Sequence, residues 1–310
     1  MERKVNWIPV RKSHLKYYTD IELYYRSPSG NIVLYKPKGM PFTDDSLKSK
    51  PYLGELYIRP EHKMLSIQAA QAGFNRQLIK DIQTKDLAEV KEALFSIVDE
   101  TLSEPRSGGL KAMSQTVQSV VEGFSSQKGI IKNLARISFR DYTTAIHSIN
   151  VMALMVGYCY YVGKSEEVTS SYALAALLHD VGKTEIPKEI LSAQRPLTDE
   201  EFATIRNHPL VGMEILEEYE EAEIRAAVVG TLEHHEKLDG SGYPRGITDV
   251  SECGRILGII DCYEAVTNDD RPYRSSMEPI HALELLKNDV DSGKFDKKIF
   301  ADFAYSLANR

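Results

Sequence analysis

The hydrophobic and polar residues follow two different patterns along the first hundred positions of the chain. Residues 21–25, 32–35 and 55–58 are short β-favouring runs, separated by turn sequences such as Ser-Pro-Ser-Gly-Asn and Lys-Pro-Lys-Gly, and such runs predict strands. From about residue 61 to residue 102 the apolar positions, among them Leu78, Ile82, Leu94 and Val98, fit helices. We therefore predict a small α+β unit at the N-terminal end.

The segment Ser-Glu-Pro-Arg-Ser-Gly-Gly at 103–109 interrupts the helical pattern. Proline and a pair of glycines so close together usually end a helix and form a loop. After this segment nearly every stretch has helical periodicity. We expect a mainly α protein, with an N-terminal α+β domain at 1–105 and a C-terminal all-α domain at 106–310. The predicted helices of the second domain are 111–124, 129–137, 141–161, 166–180, 198–205, 209–219, 221–236, 252–268 and 277–289.

The composition is that of an ordinary soluble globular protein, with 42% hydrophobic and 27% charged residues among 310. A net charge of −7 argues against binding of a nucleic-acid polymer. The three cysteines have no CxxC spacing, which favours a reducing compartment. The most apolar run, 151–162, is shorter than the roughly 20 residues that span a bilayer. No apolar stretch follows the charged N-terminus, so we expect a cytoplasmic protein without signal peptide or membrane span.

Five of the eight histidines and two aspartates fall in separate short motifs within the second predicted domain. Taken alone, a histidine such as His147 is more often structural, and His14, His62 and His281 lack any supporting context. Together, imidazole and carboxylate groups suit divalent Fe, Mn or Zn. Seven ligands exceed one tetrahedral site but fit two octahedral ions, and paired metals about 3.5–4 Å apart commonly hydrolyse phosphate esters. The predicted ligands are His147, His179, Asp180, His208, His234, His235 and Asp261, with Asp180 as the natural bridge.

The order of these motifs resembles the HD-GYP subgroup of the HD superfamily. The chain reads His, then His-Asp-x-Gly-Lys, His-Pro-x-x-Gly, His-His-Glu-x-x-Asp-Gly-x-Gly-Tyr-Pro, and finally Asp. The resemblance covers residues from about 110 to 300, and the motif at 234–244 is highly specific. It implies an HD-superfamily helical domain that hydrolyses the bacterial second messenger cyclic di-GMP through a binuclear metal centre and a bridging hydroxide. It also implies contacts between the Gly-Tyr-Pro loop and diguanylate cyclase-type partner domains.

Carried over position by position, the resemblance implies a role for each residue. One ion, Fe or else Mn, is held by His147, His179, Asp180 and Asp261, and the second by Asp180, His208, His234 and His235. Asp180 and Lys183 are the expected catalytic residues, and the expected substrate contacts are Lys183, Arg271, Tyr243 and Gly242. From the sequence, both Gly240 and Gly242 are expected to allow a compact turn through positive φ.

Two departures from the family pattern keep other functions open. Thr143 stands where some members place a glutamate that holds a third metal, so we expect two ions. Arg271 lies one residue later than the family spacing and beside two acids, which weakens its expected phosphate contact. The alternatives are an HD-superfamily hydrolase of another nucleotide phosphoester, and a weakly active or inactive signalling protein that binds cyclic di-GMP or a partner. For the N-terminal domain we expect a regulatory or partner-binding role.

Overall fold

The computed structural model describes residues 6–42, 55–84, 86–127, 130–137, 143–193, 195–268 and 277–308. The chain forms two compact units, the first made of residues 1–77 with 107–109, the second of residues 78–106 with 110–310. The helical segment 78–106 thus packs with the C-terminal part of the chain. The predicted division into a regulatory domain before residue 105 and a catalytic domain after it stays a prediction.

The first unit contains a four-stranded antiparallel sheet. Its strands are β1 (Ile8–Pro9), β2 (Leu23–Arg26), β3 (Ile32–Lys36) and β4 (Leu56–Ile58), in the order β1-β4-β2-β3. Tyr24 pairs with Tyr57 of β4, and Tyr25 pairs with Val33 of β3. The predicted turn between β2 and β3 has Gly30 at φ 85°, a conformation that favours glycine. Sequence and structure therefore agree on β2, β3 and β4, whereas the short β1 was not predicted.

Helices account for most of the described chain, and their bounds follow the predicted segments closely. A single helix, α1 (Lys63–Thr84), extends from the first unit into the second. The others are α2 (Leu87–Ser103), α3 (Met113–Phe124), α4 (Thr144–Tyr161), α5 (Glu166–Leu178), α6 (Lys188–Leu191), α7 (Asp199–Arg206), α8 (His208–Glu217), α9 (Ala222–Glu233), α10 (Glu252–Thr267), α11 (Pro279–Asp291) and α12 (Lys297–Ala308). The mainly α fold class is confirmed.

Helix α4 is the centre of the second unit. Every residue from Ala145 to Tyr160 is buried, as expected for a helix that is apolar on all sides. It packs against α2, α5, α10 and α12. His147 lies near its start, so the first predicted ligand is held by the most enclosed helix of the unit.

Side-chain caps fix where several of these helices begin. Thr143 precedes α4 and its hydroxyl accepts the amide of Ile146 at 3.3 Å. Ser165 and Ser251 cap α5 and α10 in the same way. Such caps satisfy amides that have no partner inside the helix, and each contributes about 1 kcal/mol. The hydroxyl of Thr143 is therefore engaged in capping the helix that carries His147.

Two sequence predictions need correction. The segment predicted as a helix at 129–137 contains instead a 3-10 helix, Ile131–Arg136. The buried ammonium of Lys91 donates to the carbonyls of Leu134 and Ile137, so these oxygens have a partner that a regular α-helix would not supply. The terminal helix α12 was not predicted. Among the described helices, none has the length and apolar character needed to cross a membrane.

Candidate metal centre

Three of the predicted ligands lie at a helix boundary and are oriented by the same hydrogen bond to a backbone carbonyl. His179 follows α5, His208 begins α8 and His234 follows α9. In each ring Nδ1 lies 2.7 Å from the carbonyl oxygen three residues earlier, on Ala176, Ile205 and Thr231 respectively. A carbonyl oxygen only accepts, so Nδ1 carries the hydrogen and Nε2 of the neutral ring presents its lone pair. All three rings therefore offer Nε2 as a donor atom to the interior of the unit.

The Nε2 atoms meet in two pairs. His147 and His179 approach to 3.2 Å, and His208 and His234 approach to 3.2 Å. In the second pair both Nδ1 hydrogens are already donated to carbonyls, so two lone pairs face each other across this gap. A cation bound by both nitrogens resolves that contact, because imidazole nitrogen is a good ligand for first-row divalent metals. The donor set thus fits metal binding.

Asp180 lies between the two histidine pairs and directs one oxygen to each. Its Oδ1 is 3.2 Å from Nε2 of His208 and 3.9 Å from Nε2 of His234. Its Oδ2 is 3.4 Å from Nε2 of His179 and 3.6 Å from Nε2 of His147. Oδ1 is buried and accepts no hydrogen bond from the described residues, although a buried carboxylate oxygen ordinarily has a partner. This carboxylate has the placement that a bridging ligand requires.

Asp261 and His235 complete the cluster. Asp261, on α10, places Oδ1 3.0 Å from Nε2 of His147, and its Oδ2 lies 3.9 Å from Nδ1 of His235. Residues that could hold an ion together form three groups within the described residues: His147, His179 and Asp261; His208, His234 and His235; and His179, Asp180 and His234. The fold therefore brings together all seven side chains that the sequence predicted, and they form candidate metal-binding clusters.

A glutamate that the sequence analysis did not select supports His147. Nδ1 of His147 lies 2.5 Å from Oε2 of Glu264, and the other oxygen of this carboxylate accepts from Asn150 and Asn268 at 2.7 and 2.8 Å. Glu264 is buried, with 3% exposure. Carboxylates that hold the second nitrogen of a ligand histidine fix its orientation. The signal was present, because Glu264 follows Asp261 by three residues and therefore lies on the same face of α10.

The electrostatics of the cluster depend on a balance between burial and neighbouring charges. Burial raises the pKa of Asp180, but the neighbouring His179 and the positive charge of Lys183 outweigh it and hold that pKa well below the usual range. Burial is also the main reason why the pKa of His235 falls to about 3, which keeps that ring neutral and able to bind a metal. Burial opposes a charge on His147, yet Glu264 and Asp261 together raise its pKa to about 10. A cation at Nε2 of His147 would therefore displace a proton.

The predicted catalytic lysine also lies at the cluster. Nζ of Lys183 is 2.6 Å from Oδ2 of Asp180, and its side chain is 24% exposed. Lys183 follows Asp180 by three residues, and the 3-10 helix Val181–Glu185 brings residues at this spacing onto the same side. Lys183 thus connects the buried carboxylate with solvent.

The Gly-Tyr-Pro loop lies beside His235. The rings of Tyr243 and His235 pack at 4.5 Å with an interplanar angle of 30°. Gly240 has a positive φ of 77°, whereas Gly242 does not use this freedom. A side chain at Gly242 would meet Cα of Glu236 at 2.5 Å, so close backbone approach is the reason for glycine there. Arg271, the remaining predicted contact, lies outside the described residues.

Two further glutamates hold this loop in place. The buried carboxylate of Glu236 accepts the backbone amides of Arg245 and Ile247 at 2.8 and 3.2 Å. Glu233 accepts the amide of Ser251 at 2.8 Å and the guanidinium of Arg245 at 2.7 Å. Charge-assisted hydrogen bonds of this kind are stronger than neutral ones. The carboxylates therefore fix the loop backbone next to the histidine pair.

The chain is similar in sequence to curated phosphodiesterases. The chain is 34% identical over 178 residues to a cyclic di-GMP phosphodiesterase of Pseudomonas aeruginosa, covering 56% of this chain and 42% of the relative. It is 27% identical over 263 residues to a 3'3'-cGAMP-specific phosphodiesterase of Vibrio cholerae, covering 80% and 59%. The chain thus spans about half the length of these curated relatives.

A solved structure shares the fold. The HDG"Y"P protein Bd1817 from Bdellovibrio bacteriovorus superposes with a TM-score of 0.63 over 98% of this chain and 100% of its own, at 18% identity. The profile of the HD domain family matches residues 113–299, which include all seven clustered side chains. The chain therefore belongs to the HD domain family, and its motifs and relatives identify the HD-GYP group within that family.

Proposed function

We propose that this chain is a metal-dependent phosphodiesterase that hydrolyses cyclic di-GMP with two bound metal ions. The observation that carries the proposal is the position of Asp180, which directs one carboxylate oxygen to each of two facing histidine pairs. A single ion would use one of these pairs and leave the other side of the Asp180 carboxylate without a cation. The names of several relatives, which describe hydrolysis of cyclic dinucleotides, support the substrate class.

The proposed ligand sets follow the two sides of Asp180. One ion is held by His147, His179, Asp180 and Asp261, and the other by Asp180, His208, His234 and His235. Nitrogen and oxygen donors of this kind suit first-row divalent ions, and the resemblance to the HD-GYP group favours Fe, with Mn as the second choice. The hydroxyl of Thr143 caps a helix and offers no carboxylate, which supports two ions and not three.

The chain supplies what the reaction needs around these ions. Two ions in such a site lower the pKa of water and stabilise the charge on a phosphodiester. Lys183 adds a positive charge at the exposed edge of the cluster, where its Nζ can donate to a phosphate oxygen. Tyr243 packs against His235 at the side of the cluster. Asp180 keeps its charge because its pKa is held well below the usual range despite burial.

The remaining roles are proposals about the rest of the chain. Residues 106–310 would form the catalytic domain, and residues 1–105 a regulatory or partner-binding domain. Contacts with diguanylate cyclase-type domains would use the Gly-Tyr-Pro loop at 242–244. Glu236 holds the amide of Arg245 and Glu233 that of Ser251, so the backbone that follows the loop is fixed, which supports a surface that a partner could recognise without reordering it.

The first test is turnover of cyclic di-GMP by purified protein loaded with Fe or Mn, followed by chromatography of the nucleotide products. We expect the wild-type protein to produce linear or mononucleotide product and Asp180→Ala to lose at least about three orders of magnitude in rate, since both ion positions depend on this carboxylate. Asp291→Ala, which removes an exposed carboxylate of α11, is the matched control. Tight binding of cyclic di-GMP without any product would contradict the proposal and indicate a sensor.

A further inference from the structure

A groove lies beside the candidate metal centre, between helix α7 and the Gly-Tyr-Pro loop. Its volume is about 410 Å³. One face of α7 forms its wall, because the lining residues Asp199, Phe202, Ala203 and Arg206 follow the i, i+3, i+4, i+7 spacing of a helix side. Tyr243 and Pro244 line the other side. The capping box between Thr198 and Glu201 fixes the start of α7, so this wall has a defined position.

An arginine in this groove lies against two aromatic rings. The guanidinium of Arg206 is 5.9 Å from the ring centre of Phe202 and 4.8 Å from that of Tyr243. Within the described residues Arg206 has no carboxylate partner at ion-pair distance, and its side chain is exposed. Phe202 is 51% exposed. An aromatic face and an uncompensated planar cation are thus presented to the same space.

One residue of the groove wall, Tyr243, also contacts the metal centre. Tyr243 contacts Arg206 with its ring and also packs against His235 at 4.5 Å. Along the chain, His208 follows Arg206 by two residues, and its Nε2 belongs to the second histidine pair. A ligand with one part at the centre therefore has its next part at this groove.

We infer that Phe202 and Arg206 form a nucleobase subsite that holds one guanine of the substrate while its phosphate lies at the metal centre. This inference deepens the proposed function and rests on it. Bases stack on aromatic side chains and on guanidinium planes. The edge of an arginine donates to O6 and N7 of guanine, whereas adenine presents an amino group at the position of O6. Phe202 supplies the stacking face for any purine, and Arg206 supplies the preference for guanine.

The size of the groove limits what it accepts. Pockets for small organic ligands measure about 300–1,000 Å³, and 410 Å³ is near the lower end. It suits one base with its sugar and not both halves of a cyclic dinucleotide. The second base would lie outside this groove, so a substrate that contains a single guanine can still use it.

The test for Phe202 measures binding separately from turnover. Manganese-loaded protein is titrated calorimetrically with a phosphorothioate analogue of cyclic di-GMP that resists hydrolysis. We expect Phe202→Ala to raise the dissociation constant about ten-fold, in the range for loss of one stacked base. The preference for cyclic di-GMP over bis(p-nitrophenyl) phosphate, taken as the ratio of kcat/KM, should fall by a similar factor, because the small diester has no base. Tyr305→Ala, an aromatic residue that is 65% exposed on α12, is the control and should bind like the wild type.

The test for Arg206 compares two bases. We expect Arg206→Ala to weaken binding of the cyclic di-GMP analogue more than that of the corresponding cyclic di-AMP analogue, so that the guanine preference falls at least about five-fold. Arg225→Ala on α9 is the matched control. Equal losses for the two analogues would overturn the guanine contact and indicate a phosphate contact.

The outcomes separate the subsite from the proposed activity. If the wild type binds the analogue but forms no product, the proposed activity fails, and the dissociation constants still decide the subsite. If Phe202→Ala binds within two-fold of wild type, the subsite is wrong whatever the activity. If the wild type binds neither analogue, both proposals are wrong. Thermal unfolding of each variant checks its fold, which truncation of these exposed side chains should leave intact.

Discussion

Four of the candidate ligand histidines have a hydrogen-bond partner at Nδ1. That partner fixes the ring so that Nε2 faces the cluster. His179, His208 and His234 use a carbonyl three residues earlier, so backbone geometry at a helix boundary orients these rings. His147 lies inside α4, where every nearby carbonyl is used by the helix, and it uses Glu264 instead. The buried glutamate is thus the side-chain equivalent of the three carbonyls.

This role of Glu264 leads to a prediction about metal affinity. We expect Glu264→Ala to raise the metal dissociation constant about 10- to 100-fold, because loss of an outer partner frees the ring of His147. Glu264→Gln should lose less, since an amide oxygen still accepts from Nδ1. Titration of metal-depleted protein with Mn²⁺ measures both effects without use of substrate.

Glu252→Ala is the control for that titration, because Glu252 lies on the same helix, α10, and bonds with Lys164 at the surface. A dissociation constant for Glu264→Ala equal to that of the control would show that Glu264 does not position His147.

At this scale the sequence selected the seven side chains that the fold brings together, but not the residue that supports His147. Spaced His and Asp motifs identify donors by chemistry alone, and the fold brought all seven together. Glu264 looked like an ordinary helical glutamate, since a single acidic residue at i+3 is common on surface helices. The spacing places Glu264 on the same face of α10 as Asp261, but its contact with His147 depends on the packing of α10 against α4, which the spacing does not specify.

Elements approach one another most closely at the glycines of the motifs. Gly182 lies in the 3-10 helix after Asp180, and a side-chain carbon there would overlap the carbonyl oxygen of His208 and come within 2.6 Å of the amide of Gly212. Both obstacles are backbone atoms, which cannot rotate away. The two glycines thus permit the Asp180 and His208 segments to lie in contact, which places both residues in one cluster.

Gly182→Ala should therefore destabilise the second unit by at least about 3 kcal/mol, the upper part of the range for overpacked interiors. The measurement is the free energy of unfolding in urea. Gly157→Ala in α4 is the matched control, since its new carbon would come no closer than 3.2 Å to Cβ of Lys132 and 4.0 Å to its Cα, which a shift of a few tenths of an ångström relieves, and alanine favours a helix. Unfolding free energies that agree within 1 kcal/mol would contradict this account of Gly182.

Most elements could be predicted because long apolar helices have a strong period. Helices α4, α5 and α10 begin and end within about three residues of the predicted bounds. The exceptions have local physical causes. The 3-10 helix Ile131–Arg136 depends on Lys91, more than forty residues away. The glycine at 242 is required by a backbone approach to Glu236, which turn propensities do not show.

For the whole molecule, the negative net charge would repel an anionic substrate, whereas the cations at the site would attract it. The chain carries −7, yet the proposed substrate is an anion. Bound divalent ions can dominate the local field of a site, and Lys183 and Arg206 add positive charge at its edge. The division into two compact units at residue 77 could not be predicted from the sequence. Helix α1 crosses this position, and its hydrophobic pattern continues there without a break.

The central claim is that two ions bind, one at each histidine pair, with Asp180 between them. Anomalous diffraction from crystals of the metal-loaded protein tests it most directly. We expect two peaks, one next to His147 and His179 and one next to His208 and His234, each within coordination distance of Asp180. A single peak, or an additional peak next to Thr143, would contradict the account.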